Sequence, residues 1–385
     1  MDEERVLAFP RAPDAIELRH LRSFVAVAEE LNFGRAAEQL YLSQPALSRQ
    51  IRALEQFVGV ELFRRSTHQV ELTLAGEALL DRARSILRGV DEAVSVTQSV
   101  GGELVGRSMG MWKALADLSE AGADVHAMRD AYEALHAQFA PPPEVTVRPV
   151  SAGGVSSLLV SPPDQPAASV LYLHGGGYML GSAFGYRHLA GALALAADAG
   201  ALVADYRLAP EHAFPAALDD TLSAYRWLLD RGQDRIVVAG DSSGGGLALS
   251  LLLSLKRDGL PQPAAALLLC PGVDFTRSPK TRPAAEAYLG AHPPDDPIVS
   301  PLTADLHGLP PMLVQVATGD EWCEDGKALV ARAREHGVDA RLELYPVATH
   351  VFQVFWSFLP EATEAIESAG RFAAEVRGSA LRAAG

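Results

Sequence analysis

The stretch around residue 242 constrains the fold most, because the chain passes there from strand to helix across one short turn. Residues 235–239 (RIVVA) have the composition of a buried strand, and residues 246–256 have that of an apolar helix. Between them lies GDSSG at 240–244, whose glycines allow a strained turn that lifts a serine hydroxyl above a sheet edge. The order predicts an α/β fold on a mostly parallel sheet, with Ser242 as a nucleophile.

A serine hydroxyl is a weak nucleophile, so it needs a base that a carboxylate orients. Candidates follow in the required order: Asp320 lies after a predicted strand at 312–317, and His350 lies after another at 341–345. We therefore expect these two residues and Ser242 to form a catalytic triad. The competing acids and histidines, which rank lower, are Glu321, Glu324, Asp325, His292, His307 and His336.

Three glycines follow the predicted strand at 170–174 (VLYLH). The tetrahedral intermediate of acyl transfer carries an oxyanion, which needs preorganised N–H donors. Glycine lets the backbone approach a substrate closely, so the amides of Gly176, Gly177 and Ser243 are the candidate donors. We expect His174 to fix this loop by a hydrogen bond rather than to carry a proton.

Several motifs of this region resemble those of the hormone-sensitive-lipase-like (family IV) bacterial esterases. They are HGGGY at 174–178, DYRLAPEHAFPAALDD at 205–220, GDSSGG at 240–245, GDEWCEDG at 319–326 and HVF at 350–352. The resemblance covers about residues 108–376. It implies an α/β-hydrolase fold that cleaves short- or medium-chain carboxylic esters, or lactones, without a metal or cofactor. It also assigns the triad to Ser242, Asp320 and His350, and the oxyanion hole to Gly176, Gly177 and Ser243.

The sequence EWC at 321–323 departs from the resemblance, because these esterases often have Pro-Leu there. We expect the departure to change the loop shape and not the acid. Ahead of the sheet, residues 109–139 have the pattern of two helices joined near 122–124, which the resemblance implies form a cap over the active site. Their large apolar side chains fit an acyl pocket and plain core packing equally well: Trp112, Leu115, Met128, Tyr132 and Phe139.

The first hundred residues have an almost wholly helical pattern, with a short break near 64–72. Ser43 is a good N-cap for a helix whose apolar stripe runs from Leu47 to Val58. The opposite face carries Pro45, Ser48, Arg49 and Arg52, with Gln44 at its edge. Amide and guanidinium groups on such a face suit the major groove of DNA, and the alternative is a three-helix scaffold with a solvated face.

Three sequences decide between these alternatives: FGRAAEQLYLSQPALSRQIRALE at 33–55, GVELFRRS at 59–66 and VELTLAGE at 70–77. Together they resemble the winged helix-turn-helix of LysR-type transcriptional regulators, over about residues 16–100. The resemblance implies that Gln44, Pro45, Ser48 and Arg49 meet DNA bases or backbone. It also implies that Arg64 and Arg65 lie at the wing, near phosphates.

Behind the wing, apolar residues at spacings of three and four form a heptad seam: Leu80, Ala83, Leu87, Val90, Val94 and Thr97. The seam predicts a linker helix that forms a homodimer, as LysR-type linkers do, and the alternative is packing on the hydrolase. We therefore expect an all-α winged helix-turn-helix at 16–75, the linker helix at 76–103, and an α/β-hydrolase domain at 104–385 with cap helices at about 108–140.

The net charge of −15 argues against nucleic-acid or anionic-membrane binding by the molecule as a whole. Any contact with double-stranded DNA would therefore be local to the arginines of residues 16–75. The chain has two cysteines, an acidic start without an apolar segment, and no apolar run of about eighteen residues. These features predict a cytoplasmic protein without a disulfide framework, signal peptide or membrane span.

The two halves together allow three functions. The first is an active esterase fused to a working DNA-binding module, so that an ester or lactone regulates transcription while it is consumed. The second is a transcription factor whose hydrolase fold only senses a ligand. The third is an esterase with an idle N-terminal module. A complete triad together with the HGGG sequence favours the first over a pure sensor, because a binding pocket needs neither.

Overall fold

In the computed structural model, the chain forms two compact units, divided between Thr97 and Gln98. The structure describes residues 16–65, 70–100, 102–164, 168–276 and 282–383. Within these residues, no helix combines the length and the apolar character needed to cross a bilayer. The finer limits expected from the sequence, at 75/76 and 103/104, stay predictions.

Three short helices build the core of the N-terminal unit, as the periodicity predicts: α1 (Leu18–Glu30), α2 (Phe33–Gln39) and α3 (Gln44–Val58). Ser43 caps α3 by accepting a hydrogen bond from the amide of Ala46. The apolar stripe of α3 packs inward, with Leu47, Ile51 and Leu54 fully buried. Burial of one face leaves the other face of α3 to solvent.

The break in the helical pattern is a small antiparallel hairpin of β1 (Phe63–Arg65) and β2 (Val70–Leu72). The long helix α4 (Leu74–Val100) follows it, at the place predicted for the linker helix. The hairpin and α4 therefore complete this unit in the order that a winged helix-turn-helix requires.

The first half of the predicted seam packs within its own unit. Ala83 is fully buried, and Leu80 and Leu87 pack against the core that α1 to α3 form. The side chains of Val94 and Thr97 lie outside the described residues. Pairing of α4 with a second copy therefore stays a prediction.

Two helices open the C-terminal unit, as the sequence predicts for the cap: α5 (Glu103–Glu120) and α6 (Val125–His136). The junction falls at the expected glycine, and the side chain of Asp124 caps α6 by accepting from the amide of Ala127.

An eight-stranded, mostly parallel sheet follows, and it confirms the expected α/β fold. Its strands are β3 (Thr146–Ala152), β4 (Val155–Ser161), β5 (Ala168–Leu173), β6 (Gly200–Ala204), β7 (Val237–Asp241), β8 (Ala265–Leu269), β9 (Met312–Ala317) and β10 (Ala340–Tyr345). Their spatial order is β10-β9-β8-β7-β5-β6-β4-β3. The β3–β4 and β4–β6 pairs are antiparallel and the others are parallel.

Apolar cores flank the sheet on both faces, because successive strand residues point to opposite sides. Leu171 and Leu173 of β5 enter one core, and Val170 and Tyr172 enter the other. The helices that cover these cores are α7 (Ala183–Ala196), α8 (Ala216–Leu229), α9 (Ser243–Arg257), α10 (Arg282–Leu289), α11 (Cys323–Glu335) and α12 (Pro360–Ala383). The central strands are buried on both sides, which explains their continuous apolar composition.

Candidate active site

The turn at Ser242 is tighter than the sequence suggests. Strand β7 continues to Asp241 and α9 begins at Ser243, so Ser242 alone makes the turn, with φ 50° and ψ −120°. A Cβ on Gly244 would lie 2.1 Å from the carbonyl oxygen of Leu173. Only glycine therefore lets α9 approach β5 closely enough to hold a serine in this strained conformation.

Ser242, His350 and Asp320 meet although they lie far apart in the sequence. The Nε2 atom of His350 lies 2.9 Å from Ser242 Oγ, and its Nδ1 atom lies 2.6 Å from Asp320 Oδ2. The Asp320 side chain is 2% exposed, and its other oxygen accepts a hydrogen bond from the amide of Trp322. The carboxylate is thus held at both oxygens, and the imidazole can accept the serine proton.

The competing acids and histidines are engaged elsewhere in the described part of the chain. Glu324 and Asp325 lie in the first turn of α11, where a carboxylate is favourable, and Glu321 is exposed. The other contacts are Glu324 with Lys327, His292 with Asp296, His307 with Asp305, and His336 with the amide of Leu306.

His174 fixes the glycine loop that follows β5. Its Nδ1 atom donates to the carbonyl of Gly175 at 2.8 Å, and its ring stacks on Tyr206 with 4.3 Å between centroids. Burial lowers the pKa of this imidazole, so it stays neutral. The side chain therefore has the loop-fixing role that the sequence suggests.

The amides on both sides of the glycine pair are already bonded. Gly175 donates to Oδ1 of Asp241 at 3.0 Å, and Tyr178 donates to Oγ of Ser243 at 3.3 Å. Because both acceptors belong to the turn around Ser242, the loop is fastened to the nucleophile from both ends.

The amides of Gly176, Gly177 and Ser243 differ from these neighbours, since across the described residues they donate to no protein acceptor. Gly176 has φ 117°, and a Cβ there would meet the carbonyl of Leu180 at 2.3 Å, so glycine is required. Both glycines line the same cavity as Ser242. Three unpaired N–H groups beside a nucleophile are suited to a developing oxyanion.

Asp241, directly before the nucleophile, is a fully buried carboxylate that the sequence reasoning missed. The hydroxyls of Tyr172 and Tyr186 donate to it at 2.8 and 3.0 Å, beside the amide of Gly175. Burial raises its pKa to about 6, although these hydrogen bonds act in the opposite direction. Tyr186 also meets the hydroxyl of Tyr132 on α6 at 2.7 Å, so the network joins the turn to the cap. The sequence feature that could have revealed this residue is a carboxylate within the small-residue turn GDSSG at 240–244.

A cavity of about 540 Å³ lies over Ser242 and is lined by His350, both loop glycines and the cap. Four of the five cap residues singled out in the sequence line it: Trp112, Leu115, Met128 and Tyr132. Phe139 is 5% exposed and packs in the core. The four lining residues also pack in or against the core that contains Phe139, so they serve the cavity wall and the core together.

A second, smaller pocket of about 60 Å³ also reaches Ser242. Its walls include Gly272, Phe275, Ala285 and Trp322. Trp322 belongs to the EWC stretch, where the sequence departs from the resemblance noted above, and its indole lies 6.1 Å from the His350 ring. The residue that differs from the esterase pattern therefore lies beside the nucleophile.

The outward face of α3 carries the residues that the sequence analysis predicts to contact DNA. Gln44, Pro45, Arg49 and Arg52 are exposed and Ser48 is half-buried. In the hairpin, Arg64 is exposed, whereas the side chain of Arg65 lies outside the described residues. Their contacts with DNA stay a prediction.

Comparison with known proteins agrees with this division into two units. Residues 170–354 match the family described as alpha/beta hydrolase fold, and residues 18–77 match the bacterial regulatory helix-turn-helix proteins of the lysR family. An acetyl-hydrolase of Streptomyces hygroscopicus is 38% identical over 281 residues, which are 67% of this chain and 93% of the relative. A putative acetyl-hydrolase of Mycobacterium tuberculosis is 39% identical over 239 residues, 57% of this chain and 78% of the relative.

A solved structure of an esterase from the bacterial hormone-sensitive lipase family has 36% identity and a TM-score of 0.68, covering 72% of this chain and 99% of that one. The chain belongs to the hormone-sensitive-lipase-like esterases. The esterase also carries a LysR-type helix-turn-helix DNA-binding domain, which confirms both resemblances noted in the sequence.

The cap of this esterase is latched to the glycine loop by Arg129, which no pattern in the sequence singles out. Its guanidinium donates to the carbonyls of Met179 and Ala209 at 2.8 and 2.9 Å. It also forms a bidentate pair with Glu211, at 2.8 and 2.7 Å. A single cap side chain thus holds the loop just beyond Gly177.

A second latch joins α5 to the loop that carries His350. The buried hydroxyls of Ser108 and Thr349 lie 2.8 Å apart, and Ser108 also bonds the carbonyl of Val105. Thr349 directly precedes His350, so the first helix after the linker fixes the position of that loop.

Among the residues that the structure describes, two groups of side chains are close enough to suggest a metal, but neither is suitable. Cys270 lies with Asp320 and His350, yet those two bond each other, and burial raises the pKa of the thiol, which disfavours the thiolate ligand. His307 and His336, beside Asp305, stack with centroids 4.3 Å apart and 16° between planes. Parallel stacked imidazoles cannot aim their in-plane lone pairs at one ion between them.

Proposed function

We propose that the protein hydrolyses carboxylic esters through a covalent acyl-enzyme on Ser242. The observation that carries the proposal is the 2.9 Å contact of its hydroxyl with His350, whose other nitrogen lies 2.6 Å from Asp320. Oγ attacks the ester carbonyl carbon while its proton passes to Nε2. The bond to the alcohol oxygen then breaks, and Nε2 returns the proton to that oxygen. Water then attacks the acyl-enzyme carbonyl while its proton passes to Nε2, and the carboxylic acid is released as Ser242 Oγ takes the proton back.

The amides of Gly176, Gly177 and Ser243 stabilise the oxyanion of each tetrahedral intermediate. Support comes from their lack of other acceptors among the described residues, while the amides of Gly175 and Tyr178 are bonded. Loss of a single oxyanion donor in other enzymes lowers kcat by roughly 10²- to 10³-fold.

The substrate class is short- or medium-chain esters, with lactones as a further option. Two of the relatives are named for acetyl groups. An apolar cavity next to Ser242, lined by Trp112, Leu115 and Met128, suits an uncharged organic group. The proposed site draws all its chemistry from protein side chains and backbone amides, so the proposal includes no cofactor or metal.

The experiment is hydrolysis of p-nitrophenyl butyrate and of γ-butyrolactone by wild type, Ser242→Ala and Ser223→Ala. Ser223 lies on α8 and bonds the carbonyl of Asp219, away from both cavities. Ser242→Ala is expected to lose ester turnover, and Ser223→Ala to keep it. Unchanged ester turnover in Ser242→Ala would refute the assignment of Ser242 as the nucleophile. Opening of γ-butyrolactone by wild type, lost in Ser242→Ala, would add lactones to the substrate class.

We further propose that the helix-turn-helix domain binds double-stranded DNA through α3. Support comes from the exposed side chains of Gln44, Arg49 and Arg52 on the face opposite the buried stripe. Arg64 and Arg65 add phosphate contacts, and α4 pairs two copies over two half-sites.

Selection from random duplex DNA, followed by fluorescence anisotropy at several salt concentrations, tests DNA binding. Arg49→Ala is expected to weaken binding, whereas Arg19→Ala is not, since Arg19 is an exposed arginine of α1 paired with Glu17. If wild type shows no salt-sensitive binding to any DNA, the proposal fails and the N-terminal domain does not act as a DNA-binding module.

The same binding assay with and without a hydrolysable ester separates regulator from enzyme. If the hydrolase domain mainly senses ligand, as the second candidate function holds, wild type and Ser242→Ala respond to the ester alike, and the response persists in both. If consumption ends the signal, only wild type recovers its original DNA affinity with time.

A further inference from the structure

Two pockets of very different size meet at Ser242, and only one of them touches the histidine. His350 and Val351 line the cavity of about 540 Å³. The pocket of about 60 Å³ is lined instead by Gly272, Phe275 and Trp322, without His350. The roles of these two pockets depend on the proposed ester hydrolysis.

The chemistry assigns a role to each pocket. The alcohol oxygen must receive a proton from Nε2 of His350 as its bond to carbon breaks, so the alcohol group lies on the His350 side. The oxyanion points to the amides of Gly176, Gly177 and Ser243. The one direction left at the tetrahedral carbon, that of the acyl chain, leads into the smaller pocket. The cap residues then hold the alcohol group.

The size of the smaller pocket limits the acyl chain. An apolar cavity of about 150 Å³ accommodates the six carbons of benzene, so 60 Å³ corresponds to roughly two or three carbons. Trp322 closes the space opposite Ser242: a Cβ built on Gly272 would contact the backbone of Ser242 at 3.7 Å and the Trp322 ring at 3.9 Å. A methyl group at residue 272 therefore contacts both the Ser242 backbone and the indole.

We propose that Trp322 is the residue that sets acyl-chain length, by walling the small acyl pocket, while the alcohol group occupies the large cavity under the cap. The backbone of Trp322 is anchored because its amide donates to Oδ1 of Asp320 at 3.2 Å. The Cα of Trp322, from which the indole projects, therefore has a fixed position relative to the acid.

Two variants of opposite sign test the proposal. Trp322→Leu enlarges the pocket. Gly272→Ala fills it, and the added methyl meets only ordinary van der Waals contacts. The readouts are kcat/KM for p-nitrophenyl acetate, butyrate, hexanoate and octanoate, and acid release from ethyl, butyl and hexyl acetates, which vary the alcohol. Met128→Ala, in the wall of the large cavity, is the matched control.

Trp322→Leu is expected to raise the hexanoate-to-acetate ratio at least about tenfold, and Gly272→Ala to lower the butyrate-to-acetate ratio by about the same factor. Met128→Ala is expected to shift the alcohol series instead. An unchanged acyl profile in both pocket variants overturns the proposal, as does a Trp322→Leu effect on the alcohol series. Should Trp322→Leu fail to fold, Gly272→Ala decides alone. If wild type shows no Ser242-dependent hydrolysis, the proposed function itself fails.

Discussion

Replacement of Asp241 by asparagine is expected to remove a pH-dependent loss of stability. Burial raises the pKa of this carboxyl from an ordinary value of about 3.9 to about 6. Its protonated form is therefore favoured by folding. The stability that it contributes is complete below about pH 3.9 and is lost as pH rises through about 6. Each pKa unit corresponds to about 1.4 kcal/mol, so the loss between about pH 4 and pH 7 is about 2 kcal/mol.

The assay is urea unfolding followed by tryptophan fluorescence at pH 4, 5, 6 and 7, for wild type and Asp241→Asn. All four tryptophans lie beyond residue 98, so the signal reports the hydrolase unit alone. The free energy of unfolding of wild type minus that of the variant is expected to fall by about 2 kcal/mol across this range. A difference that stays constant or rises with pH would refute the reasoning. It would mean that the three hydrogen bonds to Asp241 outweigh its burial.

Three further substitutions test the site. Asp320→Asn keeps the geometry but removes the charge, and kcat is expected to fall by about 10⁴-fold, as in other triads. Glu324→Gln changes the competing acid that bonds Lys327 and is expected to leave kcat unchanged. A large loss in Glu324→Gln with normal kcat in Asp320→Asn would assign the catalytic acid to Glu324 instead. Gly244→Ala places a methyl 2.1 Å from a backbone carbonyl and is expected to cost more than about 4 kcal/mol of unfolding free energy. Gly378→Ala, on α12 with open space around it, is expected to be neutral or stabilising, and equal thermal stability of these two glycine variants would contradict the steric argument. Arg129→Ala removes the hydrogen bonds from the cap to two backbone carbonyls and is expected to lower kcat/KM by about tenfold or more. Glu211→Gln keeps those two hydrogen bonds and is expected to lower kcat/KM less. Equal losses in the two variants would mean that the ion pair with Glu211, and not the carbonyl bonds, positions the cap.

The sequence indicated Ser242 as the candidate nucleophile because the turn that carries it is a local structure. A strand, two small-residue flanks and a helix in immediate succession leave little choice of backbone, and glycine at 244 is required by contacts with the adjacent strand. The exact limits were less predictable: β7 ends at Asp241 and α9 begins at Ser243, because the turn consists of one strained residue. Local propensity cannot foresee this, since tertiary packing of α9 on β5 enforces it.

The choice among Asp320, Glu321, Glu324 and Asp325 was made from the order of elements, and contacts distant in sequence separate them. Asp320 is held by Trp322 and His350, while Glu324 faces Lys327. Helix α3 was predictable for the opposite reason. Its periodicity and its N-cap lie within fifteen or so residues, and helices depend mainly on such local features.

By itself, then, the sequence determined which residues are candidates for the chemistry, the order in which they occur, and the presence of two domains of different type. Tertiary structure alone decided how space and charge are distributed around Ser242. The partners of Asp241 come from β5 and α7, and the two pockets are divided by residues from the cap, the Gly272 loop and Trp322. The physical reason is that a pocket volume and a buried pKa depend on atoms brought together from distant parts of the chain, whereas a turn or an amphipathic helix depends on its immediate neighbours.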